Sequence, residues 1–281
     1  MLAVSLAAGI HVVLEGPPGT GKSTLLRAVA EGAGLGVEFV EGNAELTPAR
    51  LVGHFDPALV LEAGYKPDIF VDGPLITALR EGRLLYIEEL NRVPEETLNV
   101  LVGALAEGEI HVPRLGHVAA KPTFRLIAAM NPFDAVGTAR VSQAIADRMC
   151  RIAIGYQDAP GEREIVERGT GTDGPLVSSA VELTRLTRTH PNVRMGSSVR
   201  GAIDLVRLGH GLAALRGEGE PEPGDATYAD AAVASLSGRL RLEEGCERTP
   251  EEIVLELIER LMPAPKPREG EPPGKAVPDA R

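Results

Sequence analysis

Residues 16–23 read GPPGTGKS and fit the pattern GxxxxGK[ST]. Gly16, Gly19 and Gly21 let the backbone turn its N–H groups toward a polyphosphate without a Cβ in the way, and Pro17, Pro18 and Thr20 complete the loop. Lys22 supplies a point charge for the β- and γ-phosphates and Ser23 a hydroxyl for a divalent cation; the helix that opens through Thr24 adds its positive end. The bland alternative is a glycine-rich turn with an accidental lysine. Against it stands the context, an apolar run before the motif and a helical stretch after it.

A second chemical feature lies at LLYIEELNRV, residues 84–93, where four apolar residues run into Glu88 and Glu89. A carboxylate at the end of a buried strand needs compensation, and two adjacent like charges need more. A divalent cation beside a polyphosphate removes the difficulty. Glu88 then falls on the metal side with Ser23, and Glu89 orients or deprotonates an attacking water. The competing reading is an ordinary solvated strand end.

These groups need a frame. Apolar runs at 11–15, 37–41, 84–88, 124–130 and 151–156 are short, bounded by turn residues and too apolar for a sheet with one wet face. Between them lie helical stretches such as STLLRAVAEGAG and PEETLNVLVGALAEG. The alternation predicts a mostly parallel α/β sheet. After Tyr156 every periodic segment favours helix, from GEREIVERG through YADAAVASLSGRLRL to TPEEIVLELIERLM. The expected organisation is an α/β domain over 1–157, a helical domain over 158–262 and a disordered Pro/Gly-rich tail over 263–281.

The totals narrow the classes. A formal charge of −11 and a pI near 5.1 argue against a general nucleic-acid groove. No apolar run approaches the ~20 residues of a membrane span, and no signal peptide is evident at Met1–Gly9, so a cytoplasmic location is expected. Cys150 and Cys246 stand apart and read as reduced, partly buried thiols. His111 and His117 flank an expected hairpin; they could share a metal, with solvated turn residues the plainer reading.

Taken in order, the phosphate loop, LLYIEELNRVPEETLNVLVGALAEGEI, FRLIAAMNP, GTARVSQAIADRM and GSSVRGAIDLV resemble AAA+ ATPases of the MoxR group, related to magnesium-chelatase ATPase subunits. The resemblance covers most of residues 10–210. It implies a P-loop AAA+ domain with a mostly parallel five-stranded sheet and a smaller all-helical lid. It also implies ATP and Mg²⁺ as ligands and a homo-oligomer, expected to be a hexamer.

Residue by residue, Asn131 matches sensor 1, where an amide bonds the γ-phosphate or the attacking water; an Asn-Pro turn is its bland alternative. Arg148 matches the arginine finger that reaches a neighbouring subunit's nucleotide, with a surface pair to Asp147 as the alternative and Arg140 as a competitor. Arg200 matches sensor 2, with Arg194 and Arg207 close by in sequence. Segments 42–57 and 108–123 resemble the family's two inserts, which in relatives project toward the pore or the client.

Two departures stand out. Many relatives have Asp where this chain has Glu88, so its carboxylate sits about one bond further out. The upstream box that packs on adenine is missing, which leaves base selectivity open and allows a start further upstream. The expected function is an ATPase that remodels, assembles or activates a client protein or metalloenzyme, with a von Willebrand factor A domain partner implied by the resemblance. The other readings are a chelatase-type motor subunit or small-molecule kinase, and a scaffold that binds nucleotide without turnover.

Overall fold

The structure is a computed structural model that describes residues 1–132 and 142–262. Its contacts divide the chain into two units, Met1–Tyr156 and Gln157–Arg281.

The first unit is built on five strands: β1 (Val12–Glu15), β2 (Val37–Glu41), β3 (Leu84–Glu88), β4 (Arg125–Met130) and β5 (Cys150–Ala153). Their order in the sheet is β2-β3-β4-β1-β5, and every neighbouring pair is parallel. The strand alternation splits the central side chains between two cores. Leu85, Ile87, Leu126 and Ala128 pack with residues of helices Pro74–Glu81 and Glu95–Glu107. Leu84, Tyr86, Ile127 and Ala129 face the other way, onto helices Leu2–Ala7 and Lys22–Gly32. Because the strands are parallel and in register, their carboxyl ends lie along one edge, with Glu15 opposite Met130 and Glu41 opposite Glu88. Edge strand β5 leaves Cys150 exposed, so the expectation of two partly buried thiols holds only for Cys246.

The two segments expected as inserts form small elements of their own. The first contains helix Pro48–Val52, capped by the Thr47 hydroxyl, and strand Gly53–Phe55, which pairs antiparallel with Phe70–Asp72. The second is a hairpin of Glu109–Val112 and Gly116–Ala119. They meet through an aromatic stack: the Arg114 guanidinium lies 3.6 Å above the Tyr65 ring, Tyr65 packs edge-on against Phe55, and Phe55 packs edge-on against Phe70. Such a cation–π contact at an exposed site contributes about 0.5–1 kcal/mol.

At the opposite edge of the sheet, His11 Nδ1 accepts a hydrogen bond from the Leu126 N–H at 2.9 Å, which fastens the start of β1 to β4. Burial pushes the His11 pKa down to about 4, and the Arg125 guanidinium adds to the shift. The neutral ring is the form the fold uses. In the unfolded chain the group titrates near its ordinary value of ~6.5, so its contribution is complete above that pH and is lost as pH falls toward 4. With solvent screening allowed for, the expected loss is on the order of 1–2 kcal/mol. Urea midpoints measured at pH 7.5 and pH 5 should differ accordingly, and His11→Asn should flatten the profile in that window.

The second unit packs helices Ala159–Thr170, Pro175–Thr187, Val199–Arg216, Ala226–Leu236 and Pro250–Leu261 around one apolar core. Glu162, 2% exposed, is held at 3.0 Å by Arg185 and at 2.7 Å by Arg188, which compensates its burial. The unit is not all-helical: Val193–Met195 pairs antiparallel with Arg241–Leu242. The segment RLRL continues the helical spacing of the stretch before it. Helix Ala226–Leu236 nevertheless gives way to a single 3₁₀ turn over Ser237–Arg239, and the residues beyond are extended. Among the described residues no helix is long and apolar enough to cross a membrane.

Candidate nucleotide site

The phosphate loop leaves the carboxyl end of β1 and enters helix Lys22–Gly32. Gly19 and Gly21 have φ of 75° and 83°, a left-handed backbone that favours glycine. A Cβ on Gly21 would meet nothing within 4 Å, so the loop is open at that point. Gly16 is different. It is clamped between neighbouring strands: its N–H donates to the Met130 carbonyl at 3.2 Å, and a Cβ there would lie 2.1 Å from the Ile154 carbonyl oxygen.

Side chains hold the loop in shape. Lys22 Nζ donates to the carbonyls of Gly16 at 2.8 Å and Pro17 at 2.9 Å, and the buried Thr20 hydroxyl donates to the Pro17 carbonyl at 3.0 Å. Pro18 and Thr24 are exposed on the loop and the first helical turn.

The paired glutamates separate. Glu88, on the last residue of β3, accepts a hydrogen bond from the Ser23 hydroxyl at 2.7 Å. Glu89 leaves the strand with φ 52° and ψ 47°, a left-handed conformation rare outside glycine, and its carboxylate pairs with Arg92 at 3.0 Å. Consecutive carboxylates thus point to different partners instead of repelling one another. Asn91 is buried, and its Oδ1 has no hydrogen-bond partner among the described residues.

Ser23 and Glu88 form an oxygen-only donor pair beside an open, glycine-lined loop, which is the chemistry Mg²⁺ selects. Elsewhere, no group of three or more His, Cys, Asp or Glu is arranged to hold a metal among the described residues. His111 and His117 face each other across the hairpin, both exposed, with ring centroids 4.8 Å apart.

Asn131 directly follows Met130, whose carbonyl receives the Gly16 N–H, so it stands beside the start of the loop, half-buried. Arg148 is exposed, and its guanidinium donates to the Ala144 carbonyl at 2.7 Å within its own turn. Its competitor Arg140 lies outside the described residues, as does the 263–281 tail. In the second unit Arg200 is exposed in the first turn of helix Val199–Arg216. Of its neighbours, Arg207 is engaged in bonding the Gly169 carbonyl at 2.6 Å.

Three contributors escape sequence reasoning. Tyr86 reads as a strand filler, yet its hydroxyl lies 3.2 Å from Ser23 Oγ, and its pKa is pushed up to about 12 by burial, which the Ser23 hydrogen bond partly offsets. Gly42 donates its N–H to the Glu88 carbonyl at 2.7 Å, and a Cβ there would sit 2.5 Å from the Glu89 carbonyl oxygen. Ile154 covers Gly16 through a backbone carbonyl, which no side-chain motif records. A glycine immediately after β2 is the one sequence signal that could have found any of them.

Residues 11–149 match the family described as an AAA domain of the dynein-related subfamily. An uncharacterised protein of Staphylococcus epidermidis is 31% identical over 205 residues, 70% of this chain and 77% of that protein. One from Staphylococcus aureus strain NCTC 8325 is likewise 31% identical over 205 residues, with the same 70% and 77% coverage. Among solved structures, the Thermotoga maritima RuvB Holliday junction branch migration motor superposes with a TM-score of 0.52 at 16% identity, over 83% of this chain and 64% of that one. At that identity the likeness concerns the fold.

Proposed function

We propose that this chain, which belongs to the AAA family of ATPases, is a Mg²⁺-dependent ATPase of the MoxR type that works as a ring of identical subunits, a hexamer, on a protein client. The observation that carries the reading is the 2.7 Å contact between Ser23 and Glu88 at the mouth of the phosphate loop, with Asn131 beside the loop's first residue.

In this mechanism the loop amides from Gly16 to Ser23 bind the β- and γ-phosphates of ATP. Lys22 exchanges the carbonyls of Gly16 and Pro17 for phosphate oxygens. Ser23 and Glu88 would hold Mg²⁺, which would offset the charge of those oxygens. Glu89 takes the proton of the attacking water and Asn131 orients the γ-phosphate or that water. Arg148, exposed and donating to the Ala144 carbonyl of its own turn, completes a neighbour's site as the finger. Arg200 is carried as the second sensor from the resemblance. The same resemblance supports a remodelling role on a protein or metalloenzyme, assisted by a von Willebrand factor A domain partner.

Mixing Arg148→Ala with Lys22→Ala subunits tests the shared site. Each variant alone is expected to be inactive. In an equal random mixture about a quarter of the interfaces combine an intact Lys22 with an intact neighbouring Arg148, and that fraction of activity should return. If rings containing both variants form and release no phosphate from ATP, Arg148 is not supplied to a neighbour.

A further inference from the structure

We infer that Tyr86 is a positioning residue for the metal-side pair, holding the Ser23 hydroxyl so that the Glu88 carboxylate is presented in one orientation. The inference rests on the reading of Ser23 and Glu88 proposed above.

Strand alternation places Tyr86 and Glu88, two residues apart, on the same face of β3, toward helix Lys22–Gly32. Tyr86 is 2% exposed, and its ring packs against Phe39 with centroids 5.8 Å apart, so the phenol has little freedom. Its hydroxyl lies 3.2 Å from Ser23 Oγ, which is 2.7 Å from Glu88 Oε1. Proton counting sets the direction of these bonds. A serine hydroxyl has one proton, and an ionised carboxylate can only accept, so the Ser23 proton goes to Glu88. The Tyr86 O–H then faces two acceptors, Ser23 Oγ at 3.2 Å and the Glu88 carboxylate, with which it also interacts. The result is one hydrogen-bonded group of Tyr86, Ser23 and Glu88, in which each bond polarises the next.

The need for such a group follows from the glutamate. Glu88 has one more rotatable bond than an aspartate, so its carboxylate reaches further but is less fixed by its backbone. An anchored phenol at the base of the group restores a defined geometry. Partners that orient metal ligands in this way commonly change metal affinity by 10–100-fold when removed.

The test uses N-methylanthraniloyl-ATP fluorescence titrated with and without Mg²⁺. Tyr86→Phe keeps the ring and deletes one oxygen. It should bind the nucleotide with parent affinity in the absence of Mg²⁺, while the Mg²⁺ concentration for half-maximal tightening rises about tenfold. In a Glu88→Asp background, where the shortened carboxylate withdraws from Ser23, the same substitution should change that concentration less than about twofold. A thermal melt checks that Tyr86→Phe remains folded. An unchanged Mg²⁺ dependence, or an equal effect in both backgrounds, overturns the positioning role. If the parent chain binds the nucleotide but does not respond to Mg²⁺, the metal-side assignment itself falls and this inference with it.

Discussion

Glu89→Gln is expected to bind ATP with parent affinity and to hydrolyse it ~10²–10⁴-fold more slowly, the range contributed by a positioned general base. The amide is nearly isosteric, and Glu89 is half-exposed, so packing changes little. What is lost is the ability to accept a proton, together with the ion pair to Arg92 at 3.0 Å. That pair is solvent-exposed on both sides and contributes less than about 1 kcal/mol, so its loss leaves the fold intact. The left-handed backbone at φ 52° is shared by both residue types and does not separate them. Phosphate release and nucleotide affinity measured on one preparation decide the matter. Hydrolysis at the parent rate would remove Glu89 from the chemistry. With turnover blocked, the ATP-bound variant should also retain the protein client proposed above in a pull-down, which gives the prediction a second readout.

Gly16→Ala should damage both the fold of the first unit and the phosphate loop. Its Cβ would lie 2.1 Å from the Ile154 carbonyl oxygen, and backbone directly after β5 cannot move aside as a flexible side chain would. Either the loop or β5 must shift. The shift would disturb the bond from the Gly16 N–H to the Met130 carbonyl and the Lys22 contact with the Gly16 carbonyl. Overpacking of this kind costs about 1–3 kcal/mol, and a displaced loop should weaken ATP binding and slow hydrolysis by about 100-fold, the cost of misplacing reacting groups by about 1 Å. Gly21→Ala is the informative comparison. There a Cβ has open space, and the cost comes only from φ of 83°, about 1–2 kcal/mol. Urea unfolding with parallel nucleotide titrations checks both. A Gly16→Ala chain that unfolds at the parent midpoint and binds ATP normally would contradict the packing of β5 over the loop.

Much of the first unit was legible because its signals are local. Runs such as VEFVE and LLYIE became strands β2 and β3 residue for residue, since turn residues bound them and no alternative period competes. The phosphate loop was legible for the same reason: glycine spacing, a lysine and a hydroxyl within eight positions specify a backbone shape and a charge. The antiparallel pair in the second unit was not, because segments of two and three residues are too short to display a period. Tyr86 escaped too. Its strand reads as uniformly apolar, and nothing within a few residues announces that its hydroxyl has a partner.

The sequence by itself therefore determined the chemical types present: a phosphate-binding loop, a carboxylate pair at a strand end, an amide after the next buried strand, and the apolar runs that must carry them. Only the tertiary structure decided how they meet. It placed Tyr86 against Ser23, 63 positions away, separated Glu88 from Glu89 by a left-handed turn over Gly42, and closed Gly16 under a carbonyl of β5's trailing residue. These are contacts between segments far apart in the chain. They depend on strand order and register, which are set by how two apolar faces are buried together rather than by the pattern within any one strand.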